Sequence, residues 1–239
     1  MCGRYTSITP AAALARYFDV DEVVAGDLGA RYNVAPTQEV YAVASRKSST
    51  RLGSLRWGLI PSWADDPRIG ARMINARAES LAERPAFRTP FSRRRCLIPA
   101  DGYYEWTSDP DSPTRRPWYI RHRDSLPLAF AGLWESWWPK GADGDRNAKV
   151  VSGTIVTTRA NEALAGLHDR MPVVLPREAW DIWLDPANDD VDSLSRLLLP
   201  APVELFELTA VRPLVNKVAN EGAALIEPAE VDVPAGEPA

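Results

Sequence analysis

The strongest indication of the fold is a strand–turn–strand pattern in the stretch Arg95-Cys96-Leu97-Ile98-Pro99-Ala100-Asp101-Gly102-Tyr103-Tyr104-Glu105-Trp106-Thr107. Its first four residues predict a short buried strand, and the Pro-Ala-Asp-Gly segment that follows is typical of a turn. The aromatic residues after the turn predict a second strand over residues 103–107. Residues 118–121 have the same character, so we expect them to pair with that strand.

Short apolar segments separated by turns recur on both sides of this stretch. We predict further strands over residues 39–44, 52–59, 128–135, 150–157 and 203–208. Short helices are predicted over residues 11–18, 76–83, 176–184 and 191–198, the first with Thr9 as N-cap and Pro10 at its first position. Many strands and few helices indicate an α+β fold, with a largely antiparallel β-sheet or barrel and peripheral short helices.

The chain length fits one domain. Of its 239 residues 45% are apolar, which is enough for a single substantial core. We place the domain at residues 2–227. Residues 228–239 are acidic, contain Pro and Gly, and have no large apolar residue except Val, so we expect a disordered tail there.

Composition also limits the compartment and the cofactors. No apolar run reaches the roughly 18 residues that a membrane span needs, and the N-terminus lacks the features of a signal peptide. We therefore expect a cytoplasmic monomer. Only two cysteines are present, which argues against a disulfide framework. Because no two of Cys2, Cys96, His122 and His168 have a ligand-like spacing, we expect no metal and no other cofactor.

The charge is unevenly distributed. The net charge is −4, yet residues 67–96 hold eight arginines against two glutamates, whereas residues 221–239 hold five acids and no base. A local basic field of this kind can steer an anionic ligand on an acidic protein. A solvated arginine-rich surface without a ligand is the alternative reading of the same pattern.

Cys2 is chemically unlike an internal cysteine. Removal of Met1 would leave its α-amine free beside its thiol, and such a 1,2-aminothiol condenses with an aldehyde to close a thiazolidine ring. An α-amine titrates at about 7.7–8.0 and a free thiol at about 8.5, so both groups are usable near neutral pH. On its own, a cysteine at position 2 can also be without function.

Three further segments carry side chains suited to chemistry. Glu105 lies among aromatic residues, and such a setting raises the pKa of a carboxyl group toward that of a general acid. Asn75 and Arg77 place an amide and a guanidinium two residues apart, and His168 lies in a segment typical of a loop. Each has a structural alternative: a salt bridge for Glu105, helix capping for Asn75 and Arg77, and an ordinary loop position for His168.

Seven motifs occur in one order along the chain. They are Met1-Cys2-Gly3-Arg4, Arg31-Tyr32-Asn33-Val34-Ala35-Pro36, Trp57-Gly58-Leu59-Ile60-Pro61-Ser62-Trp63, Asn75-Ala76-Arg77-Ala78-Glu79, Gly102-Tyr103-Tyr104-Glu105-Trp106, Thr157-Thr158-Arg159-Ala160-Asn161 and His168-Asp169-Arg170-Met171-Pro172. With these motifs the sequence resembles the SRAP (SOS response-associated peptidase) family of abasic-site processing proteins across about residues 2 to 220.

The resemblance implies a sensor of abasic sites in single-stranded DNA, associated with the nucleoid or the replication machinery. It implies that Cys2 forms the covalent link, that Glu105 moves protons, that His168 assists and helps to reverse the link, and that Asn75 holds the sugar or the N-terminus. The implied DNA contacts are phosphate contacts by Arg4, Arg77 and Arg170, and base stacking or wedging by Trp106, Trp63 and Pro36. The family name also implies autocatalytic removal of Met1, which an aminopeptidase can equally perform.

Two other functions stay open from the sequence. One is an N-terminal-nucleophile amidohydrolase in which the Cys2 thiolate attacks an amide, with a papain-like Cys2–His168 pair as a variant. The other is a non-covalent single-strand-binding module, in which the arginines and tryptophans matter and Cys2 does not. Turnover of small amides would indicate the amidohydrolase. Unchanged behaviour on abasic DNA after replacement of Cys2 would indicate the non-covalent binding module.

Overall fold

The computed structural model describes residues 2–46, 49–109, 112–142, 145 and 147–229, without the side chains of residues 108, 109 and 112–114. Its strands are β1 (Tyr5–Ser7), β2 (Glu22–Val23), β3 (Arg31–Val34), β4 (Glu39–Arg46), β5 (Ser49–Trp57), β6 (Asn75–Arg77), β7 (Arg95–Ala100), β8 (Gly102–Asp109), β9 (Ser112–His122), β10 (Leu128–Trp137), β11 (Val150–Arg159), β12 (Arg170–Pro172) and β13 (Phe206–Ala210). Its α-helices are α1 (Ala11–Tyr17), α2 (Arg88–Arg93), α3 (Glu162–Ala165), α4 (Trp180–Leu184) and α5 (Val191–Ser195), with short 3-10 turns between them.

Two sheets form the domain. One has five strands in the order β13-β9-β8-β1-β3, and the other has eight, with the path β12-β11-β10-β7-β4-β5-β2 and β6 beside β11. A parallel pairing of β11 with β5 closes five strands of the second sheet into a ring. Gly153 lies at that closure, where a Cβ atom would come within 2.9 Å of the Leu133 carbonyl oxygen and 2.8 Å of the Leu55 side chain. A glycine is therefore required there.

The apolar residues divide into two main clusters because successive side chains of a strand point to opposite faces. One cluster joins the two sheets and includes Cys2, Tyr5, Tyr103 and Phe130. The other packs the opposite face of the eight-stranded sheet against α1, α2 and α4. Burial of these apolar surfaces is the main stabilising contribution to the fold.

Arg95 is a charged residue buried beside the apolar cluster that contacts α1, α2 and α4. Its side chain is buried, and the guanidinium donates to five backbone carbonyls of the segments around α2 and α4. Burial lowers its pKa to about 10. The guanidinium therefore fastens α2 and α4 to β7, since four of the five carbonyls, those of Phe91, Ser92, Trp183 and Asp185, lie at the C-terminal ends of these helices, where carbonyl groups lack an intrahelical partner.

The α+β prediction with a largely antiparallel sheet and short peripheral helices is confirmed. Pairing of residues 103–107 with residues 118–121 is also confirmed, by β8 and β9. No helix among the described residues is long and apolar enough to cross a membrane.

Several local predictions are wrong. Residues 75–77 form strand β6 rather than the start of a helix, because they pair in parallel with Ile155–Thr157 of β11, and only a 3-10 turn follows. Pro10 is the N-cap of α1, while Thr9 donates its hydroxyl to Asp101 on the turn before β8. The last strand begins at Phe206, after a 3-10 turn over Val203–Leu205.

The beginning of the predicted tail is ordered. Pro228 bridges Val211, and the backbone N–H of Ala229 donates to the carbonyl oxygen of Ala210 at 2.8 Å. Residues 230–239 lie outside the described residues, so disorder over the rest of the tail stays a prediction.

Candidate functional site

Cys2 lies at the entry to β1 and is completely buried. The nearby backbone N–H of Arg4 acts to lower the pKa of the Cys2 thiol, but this effect is smaller than that of burial. Burial, and then the nearby charge of Glu105, raise the pKa of the Cys2 thiol above its ordinary range. The sulfur is therefore a protonated thiol at neutral pH, because a desolvated thiolate would be costly.

Asn75 connects Cys2 to the eight-stranded sheet. It begins β6, where it pairs with Ile155. Its Nδ2 donates to the carbonyl oxygen of Cys2 at 2.8 Å, which leaves its buried Oδ1 without a hydrogen-bond partner among the described residues. Asn75 thus holds the backbone of residue 2 and presents an acceptor beside it.

Glu105 approaches the same residue from the five-stranded sheet. Tyr5 pairs with Tyr103 across β1 and β8, and the Tyr104 N–H donates to the Arg4 carbonyl at 2.9 Å. Continuing this antiparallel register places Glu105 across from Gly3. The carboxyl group is only 5% exposed, and burial raises its pKa above the ordinary value.

His168 follows α3, whose N-terminus is capped by the side chain of Asn161. The charge of the adjacent Asp169 raises the pKa of Glu105, which places this loop near the carboxyl group. The Nδ1 atom of His168 lies 2.9 Å from the Arg170 backbone N–H and 2.6 Å from Oδ1 of Asp169. The first contact needs a lone pair on Nδ1 and the second needs a proton. Burial lowers the pKa of His168, so the neutral form with Nδ1 as acceptor prevails at neutral pH.

The structure separates two of the arginines predicted to contact phosphates. Arg77 is exposed at the end of β6 and has no ion-pair partner among the described residues. Arg170 pairs with both carboxylate oxygens of Glu79, at 2.7 and 2.9 Å, and its side chain is only 11% exposed. It also donates to the carbonyl oxygen of Thr157. These contacts favour a positioning role for Arg170 over a direct phosphate contact.

Arg4 and Trp106 lie together, on the opposite face of the five-stranded sheet from Glu105. Strand alternation turns Tyr104 and Trp106 toward a separate small cluster, away from the layer that holds Tyr103. The guanidinium of Arg4 lies 5.9 Å from the Trp106 ring centroid. The indole N–H of Trp106 donates to Oδ1 of Asn216 at 2.7 Å. Neither side chain therefore shares the face from which Glu105 approaches Cys2.

The two remaining stacking candidates differ in exposure. Trp63 is 59% exposed, at the rim of a cavity of about 160 Å³ that is also lined by Arg88, Arg94 and Glu135. Pro36 is half-buried after β3. Of the stacking candidates, Trp63 thus presents the most open ring.

Counting arginines overstates the basic surface. Arg95 is buried, Arg94 pairs with the buried Glu135 at 2.6 Å, and Arg68 pairs with Asp66 at 2.7 Å. The eight arginines of residues 67–96 are therefore not one continuous field of free charges. Among the described residues, no cluster of His, Cys, Asp and Glu is arranged to hold a metal ion.

Two participants were not assigned from the sequence. Glu79 belongs to one of the motifs, but only the fold shows that it holds Arg170. Asn33 belongs to another, and the fold shows it completely buried in β3, where it bonds both Arg4 and the segment after β13. The residue types alone gave no indication of these long-range pairs.

Comparisons with known proteins identify the family and the fold. A family model described as SOS response associated peptidase (SRAP) matches residues 1–218. Abasic site processing protein YoaM of Bacillus subtilis is 43% identical, covering 95% of this chain and 98% of its own. Abasic site processing protein YedK of Escherichia coli is 30% identical, covering 95% and 100%. A crystal structure of a Bacteroides thetaiotaomicron protein, 24% identical over 95% of this chain and 100% of that one, has a TM-score of 0.82 and shows the same fold. This chain belongs to the SOS response-associated peptidase (SRAP) family.

Proposed function

We propose that this protein captures abasic sites in single-stranded DNA by forming a covalent thiazolidine between Cys2 and the open-chain deoxyribose aldehyde. The observation that carries the proposal is the convergence of two groups on Cys2. The amide of Asn75 bonds its carbonyl oxygen, and the carboxyl group of Glu105, whose pKa is raised by burial, lies near its thiol. The names of the YoaM and YedK relatives support the same substrate class.

The first chemical step needs the α-amine of Cys2, so Met1 must be removed beforehand. The neutral amine adds to the aldehyde carbon and forms a carbinolamine. Glu105 then gives a proton to the departing hydroxyl, one water leaves, and an imine remains. Burial raises the pKa of Glu105, so more of its carboxyl groups keep the proton near neutral pH than would at an ordinary, exposed glutamate.

The second step closes the ring. The Cys2 sulfur adds to the imine carbon, and its proton moves to the nitrogen, which gives a five-membered thiazolidine with one water released overall. Neutral His168 can carry the proton between sulfur and nitrogen. A buried protonated thiol suits this addition, whereas an amidohydrolase needs a thiolate before it meets its substrate.

The DNA contacts follow from exposure. Arg77 is the free guanidinium nearest to Asn75 in sequence, and it would contact a phosphate beside the abasic sugar. Trp63 would stack on a base. Arg170, held by Glu79, would keep the His168 loop in place rather than grip the strand.

Cys2→Ala and Cys96→Ala provide a matched test. Each variant is incubated with a single-stranded oligonucleotide that carries one abasic site, and heat-stable conjugates are counted on a denaturing gel. The proposal predicts conjugates with wild type and Cys96→Ala and none with Cys2→Ala. Equal conjugation by all three would contradict it, and binding without any conjugate would favour the non-covalent module.

A further inference from the structure

Asn33 uses its whole side chain in hydrogen bonds although it is far from Cys2 in sequence. Its Oδ1 accepts from Nη1 of Arg4 at 2.7 Å. Its Nδ2 donates to the carbonyl oxygens of Lys217 and Asn220, both at 2.9 Å, and lies 3.5 Å from that of Val215. The residue is completely buried, so these bonds are shielded from water.

Arg4 is fixed at both its ends. Its guanidinium is held by Asn33, by the carbonyl oxygen of Val215 at 3.0 Å and by the Trp106 ring. Its backbone carbonyl accepts from the Tyr104 N–H at 2.9 Å, and only Gly3 separates Arg4 from Cys2 in the chain. Holding Arg4 at its side chain and its backbone therefore limits where the segment of Cys2 can lie.

Cys2 needs such an anchor because the regular strand begins only at Tyr5. Gly3, between Cys2 and Arg4, has no side chain to restrain the backbone. The Asn75 amide holds the Cys2 carbonyl, and the anchored Arg4 holds the chain two residues further on. Ring closure requires amine and sulfur to reach one carbon atom, so small displacements are costly.

We propose that Asn33 is a positioning residue for capture, which acts through Arg4 to hold Cys2 for ring closure. This inference rests on the proposed covalent function. It also gives Arg4 a role that differs from the phosphate contact implied by the family resemblance. The Arg4 guanidinium, bound on the face of the five-stranded sheet opposite Glu105, helps to position Cys2.

Asn33→Ala and Arg4→Met, singly and together, test the inference, with Asn188→Ala, at a half-buried position of the loop between α4 and α5, as control. Two quantities are measured: the conjugation rate at saturating abasic DNA, and the Kd for the same oligonucleotide with a tetrahydrofuran residue, which has no aldehyde. Each single variant should lower the rate about tenfold and change Kd less than about threefold. The double variant should be no slower than either single variant, because both remove one interaction.

An unchanged conjugation rate at saturating DNA in Asn33→Ala would overturn the inference. It would also be overturned if the double variant were slowed by the product of the two single effects, or if the variants weakened only the binding of DNA, seen as a higher Kd. If Asn33→Ala does not fold, Arg4→Met tests the same hydrogen bond from its other partner, since methionine keeps an unbranched apolar side chain at position 4 and removes only the guanidinium. Failure of the proposed function is distinguishable, because wild type itself would then form no conjugate. If wild type forms the conjugate and both single variants form it at the same rate, the inference about Asn33 is overturned and the proposed function stands.

Discussion

The side-chain amide of Asn75 donates to the carbonyl oxygen of Cys2 at 2.8 Å, which ties β6 in one sheet to the segment that leads into β1 in the other. The bond joins residues 73 positions apart in the chain. It gives the candidate nucleophile a fixed backbone, and its loss is the most local perturbation of the site that leaves the thiol in place.

Asn75→Ala should therefore slow conjugation about 10- to 100-fold, because a displaced amine and thiol attack the aldehyde poorly. The initial rate of conjugate formation on abasic single-stranded DNA is the measurement. Asn147→Ala, on an exposed loop, serves as control and should match wild type. A wild-type rate in Asn75→Ala would show that the bond to Cys2 has no part in capture.

Glu105→Gln should separate activity from stability. The amide cannot give a proton, so conjugation should fall at least about 100-fold. Burial raises the pKa of Glu105 in the folded protein above its value in the unfolded chain. The contribution of Glu105 to the free energy of unfolding is therefore fully present below the unfolded-state pKa, and it is lost as the pH rises through the folded-state pKa. The Tm advantage of Glu105→Gln over wild type should thus be larger at pH 8 than at pH 4. A pH-independent difference would contradict the assigned direction of the pKa shift.

Much of this architecture could be predicted from the sequence, since strand alternation and turn residues are local properties. These local properties were enough to predict that β8 pairs with β9 and that the site residues lie in short motifs. Strand β6 could not be predicted, because the alanines of residues 76–83 favour a helix locally and only the neighbouring β11 turns Asn75 and Arg77 into a strand. The bonds of Asn33, and of Glu79 with Arg170, join distant segments, so no local pattern announces them.

Arg77→Ala and Arg170→Ala should differ in their response to salt. Exposed Arg77 should release counterions on contact with a phosphate, so its loss should reduce the salt slope of single-strand binding by about 0.7. The charge of Arg170 is already matched by Glu79, so its loss should leave the slope near that of wild type. Fluorescence anisotropy over a range of salt concentrations measures both. Equal slopes in all three proteins would exclude the phosphate contact of Arg77.

His168→Asn keeps an oxygen in place of Nδ1 to accept from the Arg170 N–H, while it removes the titrating ring. Burial lowers the pKa of His168, so the imidazole is neutral and active above that pKa and protonated below it. The ratio of wild-type to variant conjugation rate should therefore be about 100 at neutral pH and shrink toward one as the pH falls well below 6.5. A ratio that does not change with pH would assign His168 a purely structural role.

The measurement that tests covalent capture most directly is intact mass combined with thiol counting on the conjugate. The sequence has two cysteines, so free protein should bind two equivalents of an alkylating reagent under denaturing conditions. The account predicts a conjugate with the mass of protein without Met1 plus DNA minus one water, which survives heat and binds only one equivalent, at Cys96. A conjugate that retains Met1, or one in which both thiols still react, would contradict it.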